Sequence, residues 1–442
     1  MGDEMRLRWI AVAAATALVL GACGNSSSSG EDASDDATTT SAASQGTEKV
    51  AVEAPGVTDD EIRVEGVASI TNPLGGKYDT AADGVNAYFA MVNSQGGVHG
   101  RDLVLTDVRD DKLANNSAEV KGLIDADEAF AAVPIATLLF TGADQLVEAE
   151  VPAFGWTINP EWQGTPEDQR LNLFGQAGSY LCLGCEQPGP VYLIKEAGRH
   201  KAGLLAYNVP QSAKCLEGWD SSIERWGDAA DAEVAFRDAS LSYGTTDLSV
   251  QVSKMKDAGV DIVLTCMDNN GVVTLAKEMK KQGLDAIQVL PNAYDQEFLD
   301  EFGDLFEGSY VTMAFAPLET PEDLKPEGLQ NYEEWIEETG GQRTENSIVG
   351  WLNADLLVRG LREAGPDFDR QKVIDAVNSM DDYTADGFLA GVDWSVSGHY
   401  QRSEQNCNVY MAIEDGQFVP LTDDAIFTCF DIADDSLEPT FK

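Results

Sequence analysis

Between Ile62-Arg63-Val64 and Leu103-Val104-Leu105, two short runs with apolar residues at alternate positions, lies Ala81-Ala82-Asp83-Gly84-Val85-Asn86-Ala87-Tyr88-Phe89-Ala90-Met91-Val92. Ala81, Ala82, Val85, Tyr88, Phe89 and Val92 recur at helical spacing, and Gly96-Gly97 supplies a helix stop. Strand, helix, strand is the unit of a parallel sheet, because parallel neighbours need a crossover of a dozen or more residues.

The alternation continues outward. Further strands are expected at Phe130–Val133, Pro152–Phe154, Ala202–Tyr207, Glu233–Phe236, Asp261–Thr265 and Ile287–Leu290. Helices are expected near 142–149, 190–197, 212–227, 247–258, 271–282, 326–338, 347–364 and 370–380. The fold class is therefore α/β with doubly wound parallel sheets. This pattern is longer than one sheet would comfortably hold, so two lobes are expected.

The chain has 442 residues, with 29 Lys+Arg against 76 Asp+Glu and a net charge of −47. So negative a chain is a poor partner for nucleic acid or for anionic lipid through a basic face. Its three histidines, His99, His200 and His399, are far apart in sequence, which leaves no His-built metal site; neither metal nor cofactor is expected. There is no Gly-x-Ser-x-Gly elbow, His-Glu-x-x-His or Gly-x-x-x-x-Gly-Lys-Ser/Thr loop, so an exported hydrolase is the weakest functional reading. Acid pairs such as Asp110-Asp111 and Asp381-Asp382 follow from the abundance of acids and do not single out catalytic dyads.

Arg6 and Arg8 precede the apolar run Trp9–Leu20, which is too short to span a bilayer but fits the core of an export signal. Leu20-Gly21-Ala22-Cys23 resembles the bacterial lipobox, in which the cysteine receives a lipid and becomes the mature N-terminus. Residues 1–22 then form the signal peptide, with Met5 as an alternative start, and Cys23 carries the lipid, palmitate included. The stretch 24–50 is rich in Ser, Thr, Asp, Ala and Gly without apolar periodicity, and reads as a solvated tether within a linker over 23–55. The expected location is the extracytoplasmic face of the cell membrane.

The order of several segments resembles the leucine/isoleucine/valine-type solute-binding proteins of ABC importers, which have the type I periplasmic-binding fold. They are Ile62-Arg63-Val64; Val92-Asn93-Ser94-Gln95-Gly96-Gly97-Val98-His99-Gly100-Arg101; Leu103 through Asp111; and Thr246-Asp247-Leu248-Ser249 with Gly259-Val260-Asp261-Ile262-Val263. The resemblance covers roughly residues 56–415. It implies an N-terminal lobe over 56–174 and 319–391 and a C-terminal lobe over 175–318 and 392–442. Three crossover strands would join them, near Phe174–Gly178, Phe315–Glu319 and Gly391–Trp394. It also implies a monomer that binds a small-molecule solute between the lobes and presents it to an ABC transporter permease. A ligand-sensing receptor component would use the same fold, which does not by itself separate the two.

In open parallel sheets, ligands bind beyond the carboxyl ends of the strands. The loops in question are Thr71–Tyr78, Ala136–Thr141, Gly155–Asn159, Asn208–Cys215, Met267–Gly271 and Asn292–Asp295. Carried across by the resemblance, the carboxylate-gripping Ser/Thr loop falls on Ala136-Thr137 and its neighbour on Trp156-Thr157. Second-lobe tyrosine positions fall on Ser212 and Asp268, and the ammonium-pairing acid falls near Asn292; Tyr78 and Tyr294 complete the candidate set. Ala136 has no hydroxyl and Asn292 no charge, which argues against a standard branched-chain amino acid. An amino-acid-like solute, an amide, or an aromatic or amphipathic carboxylate is expected instead. Trp156 either stacks on it or packs at a strand end, and Asp268 either takes a donor or caps a helix.

Six cysteines remain: Cys182, Cys185, Cys215, Cys266, Cys407 and Cys429. An even number in an exported chain favours disulfides. Within the implied fold, Cys215 opens a helix and Cys266 ends a neighbouring strand, which suggests a bridge. Cys182-Leu183-Gly184-Cys185 reads as a local disulfide, with redox or zinc chemistry as the alternative.

Overall fold

The computed structural model describes residues 49–178, 183–395, 405–433 and 435–442. Cys23, Cys182, the expected signal and the tether up to residue 48 lie outside the described residues. The first half contains β1 (Glu61–Ala68), α1 (Ala81–Ser94), β2 (Asp102–Asp110), α2 (Asn116–Ala126), β3 (Ala131–Ala136), α3 (Ala143–Glu148), β4 (Ala153–Gly155) and β5 (Leu173–Gly175). Next come α4 (Pro188–Glu196), β6 (Lys201–Tyr207), α5 (Pro210–Ala230), β7 (Glu233–Leu241), α6 (Ser249–Ala258), β8 (Ile262–Cys266), α7 (Asn269–Gln282), β9 (Ile287–Leu290), α8 (Gln296–Phe302) and β10 (Tyr310–Met313). The chain continues through α9 (Glu327–Glu338), α10 (Glu345–Ala364), α11 (Arg370–Asn378), β11 (Gln405–Glu414), β12 (Gln417–Pro420), β13 (Thr428–Asp431) and β14 (Thr440–Phe441).

The strands form two sheets. The first has the order β2-β1-β3-β4-β5, with every pair parallel. The second runs β14-β13-β11-β10-β9-β8-β6-β7, parallel from β7 to β10. The C-terminal tail departs from the doubly wound expectation: β11 to β14 add to that sheet in antiparallel fashion, with β12 alongside β11. Short turns join these last strands, so no crossover helix is needed.

Both faces of each sheet are covered. Ile62 and Val64 of β1 pack with Val85, Phe89 and Val92 of α1, while Val67 packs with Val120 of α2 and Leu146 of α3. In the second sheet Leu205 and Val263 join Val252 and Leu275, whereas Leu204 and Leu264 join Ile194, Leu216 and Trp226. Strands buried on both sides are apolar almost throughout, as β3 and β8 are.

Although α9 to α11 follow β10 in sequence, they pack on the first sheet, with α10 against α1, β3 and β4. Their close approach depends on Gly84, where an added Cβ would lie 1.8 Å from the Ser347 carbonyl oxygen. Isolated bridges Phe315–Leu389 and Tyr383–Val392 mark the segments where the chain passes between sheets. Among the described residues no helix is long and apolar enough to cross a membrane.

Candidate functional site

The loops at the carboxyl ends of both sheets converge on a cavity of about 530 Å³. That volume is in the usual range for small-molecule sites. Polar contacts between the two sheets' loops tie its mouth together. Asn270, in the first turn of α7, donates its side-chain amide to the Pro73 carbonyl (2.9 Å) and its backbone N–H to Leu74 (3.3 Å). Gln211, at the start of α5, donates to the Leu138 carbonyl at 2.7 Å. Lys77 hydrogen-bonds Glu297 and lies 3.4 Å from Asp295. The first-sheet and second-sheet lobes therefore meet around one shared cavity.

Five of the nine expected ligand residues line this cavity: Tyr78, Trp156, Ser212, Asp268 and Asn292. The rings of Tyr78 and Trp156 are 5.4 Å apart and tilted by 32°, so Trp156 both packs in the wall and presents itself to the cavity. The Ser212 hydroxyl is committed within its own lobe, donating to the Cys266 carbonyl and accepting from the Tyr207 N–H. Asn292 also lines a small adjoining space, together with Tyr294.

Ala136, Thr137 and Thr157, where the carboxylate-gripping loop and its neighbour were expected, are turned to partners within the fold. Ala136 is buried, its carbonyl accepting from the Ser69 N–H at 3.0 Å. Thr137, also buried, donates its hydroxyl to Asp111 at 2.5 Å. Thr157 directs both its N–H and its hydroxyl to Gln176 Oε1, each at 3.3 Å. None of the three lines the cavity. Tyr294 braces the passage from β10 to α9, donating to Glu319 at 2.6 Å and accepting from the Leu318 N–H at 2.7 Å.

Asp268 caps a helix and also lines the cavity. Its Oδ1 accepts from the Gly271 N–H at 3.0 Å, capping α7. Its Oδ2 is buried without a hydrogen bond of proper geometry, close to a Tyr207 hydroxyl in the same condition. Burial pushes the Asp268 carboxyl above its ordinary range, against the hydrogen bonds that lower it.

Among the other residues that line the cavity, Gln176, Tyr207, Tyr243 and Glu345 were not anticipated as ligand contacts. Because Thr157 occupies the Gln176 carbonyl oxygen, that side chain's NH2 group is its remaining polar end. Tyr207 and Tyr243 meet edge to face at 5.1 Å, and both phenols are raised by burial and then by the Asp268 charge. Glu345 opens α10 directly after its capping residue Thr344, whose hydroxyl accepts from the Ser347 N–H at 3.1 Å. Burial, followed by repulsion from Asp295, pushes its carboxyl up to about 8. An acid in the first turn of a helix is the one sequence signal that pointed to it.

Cys215 and Cys266 are disulfide-bonded and line the cavity, and Cys407 is bonded to Cys429. Cys185 is also in a disulfide.

A family model described as "Periplasmic binding protein" matches residues 67–417. The chain belongs to the periplasmic binding protein family. Its relatives in that family bind solutes and are not enzymes. Three solved structures illustrate the fold. A fatty acid ABC transporter substrate-binding protein from Thermomonospora curvata is 18% identical, with 86% of this chain and 94% of that one covered and a TM-score of 0.69. A branched chain amino acid ABC transporter from Thermus thermophilus with bound valine is 18% identical, with 87% and 97% covered and a TM-score of 0.64. An R. palustris solute binding protein in complex with benzoate is 15% identical, with 82% and 95% covered and a TM-score of 0.63. No curated protein matches the sequence. Identities this low carry the fold and not the ligand.

Proposed function

We propose that this periplasmic binding protein is a lipid-anchored extracytoplasmic receptor that captures a small solute by lobe closure and delivers it to an ABC transporter permease. The observation that carries the reading is the cavity of about 530 Å³, walled by both sheets' loops and tied across by Lys77, Asn270 and Gln211. Closure of this kind turns ligand contacts on two surfaces into one state that a permease can recognise. Micromolar capture requires about 8 kcal/mol net. Tyr78, Trp156, Gln176, Asp268, Asn292 and Glu345 are the proposed contacts, because each lines the cavity.

Lipid attachment at Cys23 and the tether behind it are part of the same proposal. So are the monomeric state and the lobe boundaries set out above.

The test is a thermal-shift screen of the full chain against metabolites, with small-angle scattering of each hit. A ligand at a hundred times its Kd adds about 2.7 kcal/mol to the folded state. We expect such a shift together with a more compact particle. A broad panel without any hit, or hits that leave the particle's size unchanged, overturns capture by closure. Retention of the Cys23→Ala protein in the membrane fraction overturns the anchor.

A further inference from the structure

We propose that the solute is an organic cation, an amine or quaternary ammonium on an apolar body, with its positive group held between Asp268 and Glu345. This deepens the binding function proposed above and rests on it. Asp268 is 8% exposed, with one oxygen capping α7 and the other buried beside the Tyr207 hydroxyl without a well-aligned hydrogen bond. Glu345 comes from the other lobe, at the opening of α10, and lines the same cavity. Both also line the small adjoining space, together with Lys77, Tyr78, Trp156 and Asp295, and after burial both charges act on the Tyr78 phenol.

Carboxyls are abundant in this chain, but composition does not account for one as buried as Asp268. A carboxylate is seldom buried without a cation beside it, because desolvation costs more than ordinary packing returns. The Lys77 amine, which lines the same small space, is already engaged, bound to Glu297 and 3.4 Å from Asp295. Among the described residues lining the main cavity, the only basic side chain is Lys442, against Asp268, Glu345, Asp381, Asp382 and Asp393. A ligand ammonium supplies the missing charge.

The remaining walls suit a cation with an apolar body. Tyr78, Trp156, Tyr207 and Tyr243 offer ring faces around Asp268, and aromatic faces attract cations by their quadrupoles. The Asp268 charge raises the phenols of Tyr78, Tyr207 and Tyr243 alike, which places all three near it. A ligand carboxylate, by contrast, meets no free hydroxyl at Thr137 or Thr157. The Gln176 NH2 group remains for a neutral acceptor such as a carbonyl or hydroxyl.

The experiment is calorimetry on the full chain with matched sets of cation, neutral amide, anion and zwitterion on several aryl and alkyl bodies. Phenethylamine, N-acetylphenethylamine, hydrocinnamate and phenylalanine form one such set. We expect cations to bind, with the other members of each set at least about tenfold weaker. Asp268→Asn and Glu345→Gln should each weaken the cation about tenfold while melting near wild type. Binding confined to anions or zwitterions overturns the cation proposal and leaves solute capture standing. Hits of no charge class overturn the cation proposal too, and capture is then decided by the metabolite screen. A cation that binds both variants as it binds wild type removes the assignment of its place.

Discussion

On the first-sheet side of the cleft, Thr137 donates its hydroxyl to Asp111, Asn116 reaches both of them, and Asn159 holds the Thr137 carbonyl. On the second-sheet side, Asp268 commits one oxygen to the start of α7 and holds the other buried beside Tyr207, in a cavity wall that also contains the Cys215–Cys266 bridge. Both loops follow a strand and both carry polar residues, yet one wall turns its polar groups inward to brace itself. The other is braced covalently, which leaves a carboxylate free to act. The residue type at a strand end therefore does not fix its role; the partner that the fold brings to it does.

The largest expected effect comes from removing the covalent brace. The Cys215–Cys266 bridge closes a separation of 51 residues, worth about 4 kcal/mol in the chain-entropy view. Replacing both cysteines by serine should lower the stability measured by denaturant unfolding by roughly that amount. It should also weaken ligand binding, because the bridge joins the two segments that carry Ser212 and Asp268. A double variant as stable as wild type would show that hydrogen bonds brace both walls alike.

Thr137→Val breaks the other brace. Asp111 is fully buried, and the loss of one hydrogen bond to it should cost about 1–3 kcal/mol. Ligand affinity should stay within about twofold, since Thr137 does not line the cavity. Asp268→Asn should behave in the opposite way, because asparagine caps a helix about as well as aspartate while lacking the charge. Calorimetry paired with melting of the two variants distinguishes the walls. If Thr137→Val loses affinity and keeps its stability, their roles are reversed.

The parts of this arrangement legible in the sequence were the local ones. Alternation at Ile62-Arg63-Val64 and helical spacing from Ala81 to Val92 depend only on near neighbours, and the strand-end loops followed from them. The helix Asn116–Ala126 was not expected, since only Val120 and Leu123 mark its apolar face. The antiparallel additions β11 to β14 were hidden for a similar reason: short apolar runs do not announce their pairing direction. The site was harder because its pairings are distant in sequence. Thr137 finds Asp111 across two strand-end loops, and Glu345 enters the cleft from a helix that returns to the first sheet after the second is built. Five of the nine expected ligand residues share the cavity because the strand-end rule locates loops; it does not tell which side chains those loops commit to themselves.

The smallest expected effect sharpens the comparison from the first-sheet side, where Glu345 is one of the acids that line the cavity. Burial and Asp295 raise its carboxyl from the ordinary 4.5 to about 8. The native state thus holds this proton more tightly than the unfolded chain does. Its contribution to stability is complete below about pH 4.5 and is lost as pH rises through about 8. The surrounding groups are Asp295 and Tyr78, with Lys77 engaged by Asp295 and Glu297 and Asp268 in the same adjoining space. Because Glu345 is only partly shielded from solvent, the effect between about pH 6 and about pH 8 should be roughly 1 kcal/mol. Wild type should therefore lose melting temperature over that window, and Glu345→Gln should lose less. An arriving cation favours the ionised form, so binding near neutral pH should release a proton from wild type and not from Glu345→Gln. Calorimetry in buffers of different ionisation enthalpy reads that proton directly. Equal buffer dependence in the two proteins would mean that Glu345 does not meet the ligand, leaving Asp268 as the acid that does.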